Sequence, residues 1–230
     1  MIGVKFDDLH SFDDFGLLLT SKEIGTPDPK TLTVDVNGAN GVLDLSEALT
    51  GYVQYKNRKL SFTFQVFAGI DRWVAAYNKL LSSIHGKMMK IVLDEDQKYF
   101  YKGRVKVNKW TSQKSLNTIE VEVDAEPFKY NVKSSDETWI WDSFSFVNGV
   151  IYQTSYTVNG TLDARIPNEQ MVVCPEFEAS EEMQVVFKGN TYTIAEGTSQ
   201  LFEIMLEEGI NEIQFIGNGT VQVKFRGGTF

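Results

Sequence analysis

The sequence predicts a mainly β protein: an α+β unit with one helix on a sheet, followed by a β-sandwich. Three observations carry that expectation. Apolar and polar residues alternate in many short runs, as in strands with one buried face. Only residues 71–85 show the three-and-four spacing of a helix stripe. Beyond about residue 131 the pattern is all short strands and turns, recurring roughly every 8–12 residues, which favours a sandwich.

Taken in order, Val4, Phe6, Leu9, Phe12, Phe15 and Leu17 to Leu19, broken by paired aspartates and Gly16, predict one or two strands joined by an acidic turn. Two prolines around an aspartate in residues 26–30 disfavour helix and predict a loop. Leu32, Val34 and Val36 then alternate with Thr33 and Asp35, a strand entering the turn formed by Asn37, Gly38, Asn40 and Gly41. After a short polar segment, residues 44–48, comes an aromatic strand with an arginine, residues 52–58. Leu60, Phe62, Phe64 and Val66 follow, alternating with Lys59, Ser61, Thr63 and Gln65, so one face is core and the other is wet or covered by a partner.

The helix stripe comprises Trp73, Val74, Tyr77, Leu80, Leu81 and Ile84, with Asp71 as N-cap, Gly86 as the left-handed residue that ends it and Trp73 as a core anchor. Strands are expected at 88–93 and 99–107, separated by DEDQK, and at 115–125, where Ile119, Val121 and Val123 face inward. Pro127 closes this unit, giving domains 1–130 and 131–230. In the second, residues 138–146 and 150–158 flank the Asn148-Gly149 turn, and 183–187 and 192–194 flank KGN. Strands at 201–206, 212–216 and 221–225 complete it, the last following a GNG turn.

The block from 37 to 66 resembles the N-terminal domain of the distal tail proteins of long-tailed phages (siphophages). The elements that carry the likeness are the glycine turn (Gly38, Gly41), a Leu-Asp-Leu stretch containing Asp44, Gly51, the aromatic strand with Arg58, and the alternating strand after it. Where that family often has a fuller proline and glycine turn, this chain has NGANG. The order continues with the helix, its stop at Gly86, a strand ending in Asp94, and a tyrosine-rich return strand with Gly103 and Arg104. The segment from Val172 to the terminal VKFRGGTF is similar to the small galectin-like C-terminal sandwich of the same proteins.

Charge is divided unevenly. Residues 1–130 hold 17 Lys+Arg and 17 Asp+Glu, and residues 131–230 hold 5 and 14, so the whole net charge of −9 belongs to the second part. No basic stripe stands out to neutralise phosphates, which argues against specific nucleic-acid binding. The single cysteine, Cys174, forms no intramolecular disulfide and is expected as a small buried residue. No basic and apolar leader precedes the acidic start, and no run reaches the roughly 18 apolar residues of a membrane span, so no membrane association is expected.

Catalytic and cofactor signatures are lacking. Neither a nucleophile elbow, a P-loop nor a dinucleotide fingerprint is present, and the two histidines, His10 and His85, both lie in the first unit, His85 expected to face the helix-end carbonyls. Asp94, Glu95 and Asp96 lack calcium-loop spacing, since position 98 is lysine and 99 is tyrosine, and read as a solvated hairpin tip. Glu176, Glu178, Glu181 and Glu182 read as a solvated loop or strand face. Trp139 and Trp141 share one face of a strand and are candidate sugar-stacking residues, with core or interface packing as the ordinary alternative.

The resemblance implies a non-enzymatic structural hub without cofactor or metal: a homohexameric ring at a virion tail tip, assembled in the bacterial host cytoplasm. Its implied partners are the tail-tube protein, the tape-measure protein and a tail-associated fibre or lysin protein. The alternative is a carbohydrate-binding module that contacts the host cell wall through the sandwich.

Overall fold

The computed structural model describes residues 3–66, 70–112, 117–135, 144–145, 150–151 and 154–230. The chain divides into two compact units, Met1–Lys129 with Phe230, and Tyr130–Thr229. Its fold is mainly β, with one helix among the described residues.

The first unit contains β1 (Val4–Phe6), β2 (Leu9–His10), β3 (Leu17–Ile24), β4 (Thr33–Asp35), β5 (Val42–Asp44), β6 (Arg58–Val66), α1 (Ile70–Ile84), β7 (Met88–Leu93), β8 (Tyr99–Ser112) and β9 (Asn117–Ala125). Seven strands join in the order β2-β1-β7-β8-β9-β6-β3. Neighbours are antiparallel throughout. The alternation seen in β6 is realised directly: Leu60, Phe62 and Phe64 are wholly buried, while Lys59 is exposed and Ser61, Thr63 and Gln65 are half-exposed. Phe64 sits opposite Leu19 on β3 and Ile119 on β9, so the core is knit across three strands by register alone.

Leu80 and Ile84 of α1 are wholly buried in the same core, with Tyr77 and Leu81 packed against it. Val74, expected in the apolar stripe, is 43% exposed, so among the described side chains the covering face begins at Tyr77. The Trp73 side chain lies outside the described residues. Gly86, at φ 77°, ends the helix as expected, and its amide donates to the Val105 carbonyl at 2.8 Å, delivering the chain directly into the sheet. His85 does not face the helix-end carbonyls. Its Nδ1 accepts from the Val107 amide at 3.0 Å, beside the bulge that shifts register between Val107 and Lys109.

β10 (Lys129–Asn131) spans the boundary, and the second unit contains β11 (Phe144–Ser145), β12 (Val150–Ile151), β13 (Ser155–Asn168), β14 (Glu176–Ala179), β15 (Met183–Phe187), β16 (Asn190–Ile194), β17 (Gly197–Gln200), β18 (Gly209–Lys224) and β19 (Gly228–Thr229). β18 organises it. Along one edge it pairs with β13 over their whole shared length. Along the other it pairs first with β15, through residues 213–216, and then with β14, through 221–224. β16 adds to β15 and β17 to β14.

The GNG expected as a turn is therefore the middle of one strand. Register with β13 runs unbroken through Gly160↔Gly217, Asn159↔Asn218 and Val158↔Gly219. Gly217 and Gly219 take φ 147° and 128°, and a Cβ at 217 would lie 2.8 Å from Met183 Cβ, so β18 changes partner where only glycine fits. Residues 201–206 form no strand beyond an isolated Val173–Leu206 bridge. Buried amides hold this stretch instead, Asn168 Nδ2 donating to the Leu206 carbonyl at 3.0 Å and Asn211 Oδ1 accepting the Glu207 amide at 2.9 Å. Ile204 and Leu206 are thereby set wholly inside the core with Phe177 and Phe215.

The hairpin over KGN is present, with Lys188 and Gly189 at φ 50° and 81° between β15 and β16, the positive pair of a tight type I′ turn. β11 and β12 pair antiparallel, and the Asn148-Gly149 turn between them lies outside the described residues.

Gly217→Ala is expected to destabilise the second unit by about 2–3 kcal/mol, because strain at positive φ adds to a clash with backbone-anchored atoms. Gly189→Ala, where nothing lies within 4 Å of the added carbon, should cost about 1 kcal/mol, from backbone strain alone. Urea unfolding of the two variants, side by side, checks the difference.

Candidate assembly surface

From residue 28 to residue 51 no side chain is buried, although the segment is ordered by its own hydrogen bonds. β4 and β5 pair antiparallel as a two-stranded ribbon, with Thr33 opposite Asp44, Val34 opposite Leu43 and Asp35 opposite Val42. The Leu45 amide extends the pairing to the Leu32 carbonyl at 2.8 Å. Paired residues share a face, so Leu32, Val34, Val36, Leu43 and Leu45 line one side while Thr33, Asp35, Val42 and Asp44 line the other. Leu32 is 55% exposed and Leu43 51%, so a nearly all-apolar face stands in water.

The motif residues are distributed along this projection and its root. Gly38, Gly41 and Gly51 hold positive φ in its turns. Asp44 Oδ1 accepts the Ser46 amide at 2.9 Å and also the Ser46 hydroxyl, whose oxygen in turn accepts the Leu32 amide at 2.8 Å. The hydroxyl bond, and after it the amide bond, hold the Asp44 carboxyl below its ordinary pKa of 3.8. At the root, the Lys30 amide donates to the Gln54 carbonyl at 2.7 Å and the Lys56 amide to the Asp28 carbonyl at 2.8 Å. The strand expected over 52–58 is reduced to a Pro29–Tyr55 bridge, because the chain there is closing this root before β6 begins at Arg58.

Arg58 locks the root. It is only 5% exposed, its Nε donates to the Gly25 carbonyl at 2.8 Å and a terminal nitrogen to the Pro127 carbonyl at 3.0 Å. Its guanidinium carbon stands 5.2 Å from the Tyr101 ring centre. Burial lowers the guanidinium pKa and Tyr101 opposes that shift, but an arginine starts so high that it stays charged. Two carbonyls from distant loops thus converge on one buried cation.

Asp94 is a second junction, and the expected solvated tip is not what forms there. Asp94 Oδ2 accepts the Gly3 amide at 2.7 Å and lies 3.1 Å from His10 Nε2, while His10 Nδ1 lies 3.0 Å from Asp13. Glu95 pairs with Lys22, and Asp96 with Lys129 at 2.9 Å. Each carboxylate of the DEDQK turn is therefore engaged, because β7 and β8 bring the turn beside β1 and beside cations remote in sequence. Among the described residues no group of three or more His, Cys, Asp or Glu is arranged to hold a metal ion, and no helix is long and apolar enough to cross a membrane.

In the second unit, Trp139 and Trp141 lie outside the described residues. The described cleft there is lined by Ser155, Glu178, Ser180, Glu196, Thr220 and Gln222 among others, without an aromatic ring to stack on a sugar. Glu178 pairs with Lys224 at 2.7 Å on the outer face of β14, as a solvated strand face allows. Cys174 is half-buried, not fully buried; its thiol donates to the Leu201 carbonyl at 3.3 Å, and burial raises its pKa.

The sequence pattern at 31–36 predicts a strand entering the turn, which β4 realises, but does not show that its apolar face stays exposed. The available signal was that the apolar residues on both sides of NGANG match across the turn. The ion pairs of residues 94–96 had no local signal.

A β-rich unit with one helix and a projecting ribbon, followed by an all-β unit, places the chain among two-part, mainly β proteins. The crystal structure of Dit (gp 19.1) from phage SPP1, described as a paradigm of the hub adsorption apparatus in phages infecting Gram-positive hosts, matches it with a TM-score of 0.64 over 100% of both chains, at 12% sequence identity. The chain thus has a mainly β, Dit-like fold. No protein-family model and no curated protein matches the sequence.

Arg58→Met is expected to lower stability by about 3 kcal/mol, since it strands two part-buried carbonyls. Arg58→Lys should recover only part, a point charge being unable to span both acceptors. Chemical denaturation checks both. For Asp44 the sign follows from the lowered pKa. Its contribution to ribbon order is complete above pH 3.8 and fades as pH falls through the lower folded value, so the Ser46 amide resonance should titrate with a midpoint below 3.8.

Proposed function

We propose that the chain is a structural hub at the tip of a phage or phage-like tail, a homohexameric ring joining the tail tube to the host-adhesion apparatus. The observation that carries this is the likeness of fold to the SPP1 hub protein over the full length of both chains. The pattern from Gly38 to Asp94 that resembles distal tail proteins supports it, because those residues organise the ribbon, its root and the junction at Asp94.

The role is geometric adaptation, with no catalysis, cofactor or metal assigned to it. The first unit forms the ring around a channel for tape-measure protein and genome. One ring face receives the tail-tube protein and the other a tail-associated fibre or lysin protein. The net charge of residues 1–130, zero, lets neighbours pack edge to edge without like-charge repulsion, and the −9 of residues 131–230 discourages rings from clumping. Head-to-tail contacts that close are the geometry required. The assembled protein belongs to the virion tail tip and is made in the bacterial host cytoplasm.

Light scattering after gel filtration should give six times 26.0 kDa, about 156 kDa, or twice that if two rings stack. A species of 26.0 kDa at every concentration, unchanged by added tail-tube protein, would sink this reading.

A further inference from the structure

Asparagine followed by glycine occurs five times in the chain, at 37–38, 40–41, 148–149, 159–160 and 218–219. Such a pair carries a reaction within itself: an amide carbon on one residue and, on the next, a main-chain nitrogen that no Cβ shields. Whether the two meet depends on the freedom of the backbone between them, and the fold sets that freedom differently from pair to pair. The 148–149 pair lies outside the described residues.

At the tip of the β4–β5 ribbon the backbone has room to turn. Asn37, Gly38, Asn40 and Gly41 are all exposed, and nothing lies within 4 Å of a carbon added at either glycine. The Ala39 amide donates to the Val36 carbonyl at 3.0 Å, and that bond, with Gly38 at φ 89°, defines a tight turn around Asn37 and Gly38. The ladder of the ribbon ends at the Asp35–Val42 pair, short of both Asn-Gly bonds. A turn outside the ladder opens at little cost.

The other two described pairs have equally exposed asparagines but are held within a ladder. Asn159 stands opposite Asn218 and Gly160 opposite Gly217, inside the unbroken β13–β18 pairing. The Gly160 amide donates to Asn218 Oδ1 at 3.1 Å, so the nucleophile of one pair is engaged by the side chain of the other. A carbon added at Gly219 would lie 2.6 Å from Ser180 Oγ, so rotation there meets a neighbour. Exposure does not separate the four asparagines; backbone constraint does.

We infer that the NGANG tip is a site of non-enzymatic deamidation, with water as the only co-reactant. The Gly38 nitrogen gives its proton to hydroxide and attacks Asn37 Cγ. The new N–Cγ bond closes a cyclic imide and the Cγ–Nδ2 bond breaks, ammonia leaving with a proton from water. Water then opens the imide: addition at Cγ leaves aspartate, and addition at the Asn37 main-chain carbonyl carbon leaves isoaspartate, in which the chain runs on through the former side chain. Asn40 and Gly41 react by the same steps. Nothing is oxidised or reduced, and each event consumes one water and releases one ammonia. It also adds a carboxylate to residues 31–51, which already hold Asp35, Asp44 and Glu47 and no Lys or Arg. Isoaspartate lengthens the backbone of the turn, so the turn no longer closes on the Asp35–Val42 pair and the ladder beyond it loosens. The tip is thus a timer on ribbon order.

The test is to incubate the full chain in mildly alkaline buffer and map its peptides by mass spectrometry, with isoaspartyl methyltransferase and labelled S-adenosylmethionine as the probe for isoaspartate. Asn37 and Asn40 should convert first, roughly tenfold or more ahead of Asn159 and Asn218, where reaction waits for the ladder to open. In urea the four should convert at similar rates, the local sequence being the same. Asn37→Gln with Asn40→Gln should remove the label from the ribbon and leave circular dichroism unchanged. The converted chain, separated by anion exchange, should show faster hydrogen exchange at the Leu45 amide, which bonds the Leu32 carbonyl in the intact ribbon. The inference is overturned if the native chain converts Asn159 or Asn218 as fast as Asn37 and Asn40, or if the ribbon asparagines convert in urea and not in the native chain. Unchanged exchange at Leu45 in the converted chain would overturn the effect on ribbon order. None of these readouts needs a ring, so a chain that stays at 26.0 kDa ends the ring reading and leaves this one standing.

Discussion

Burial of one face of β6 is the constraint on which the first unit depends. Leu60, Phe62 and Phe64 are wholly excluded from water, and β6 is the one strand paired to both β3 and β9, so removing its face would uncouple the edge strand from the sheet centre. Fully burying side chains of this size contributes about 1.5–3 kcal/mol each. The same strand begins with Arg58, and so the hydrophobic anchor and the polar lock on the ribbon root are consecutive in one element. A projection rooted this way is positioned by the core without belonging to it.

Electrostatics acts at the margins of that core. The carboxylates at 94, 95 and 96 tie the β7–β8 turn to the start of the chain and to Lys22 and Lys129. Pairs as exposed as Lys22–Glu95 contribute little individually, about 0–1 kcal/mol. Their effect is on register: a turn held at three points cannot rotate away from β1. Asp94, which accepts a backbone amide as well as facing His10, is the strongest of the three for that purpose, because an amide donor does not depend on protonation.

In the second unit the corresponding constraint is continuity of β18. One strand that is shared by β13 along one edge and by β15 and β14 in turn along the other makes the halves of the sheet inseparable, and it places Phe215 and Val221, on either side of the glycine pair, in one core. The cost is conformational: Gly217 and Gly219 sit at φ values that L side chains avoid, at the point where Met183 and Ser180 approach.

By itself the sequence determined the mainly β class, the helix, expected at 71–85 and found at Ile70–Ile84, its stop at Gly86, the inward faces of β6 and β9, and the tight turn at Lys188 and Gly189. These are local properties, set by side-chain period and by residues that tolerate positive φ. Tertiary structure alone decided whether an alternating run meets a core. Residues 31–36 and 59–66 show the same period of two, yet one stands in water and the other is the spine of the unit, because burial is a property of what lies opposite and periodicity does not encode it. It alone decided too that Gly217-Asn218-Gly219 continues a strand, since β13 supplies unbroken pairing from some 60 residues away, and that Arg58, His10 and Asp94 find partners in distant loops. Local pattern fixes the form of an element, and long-range closure chooses its neighbours.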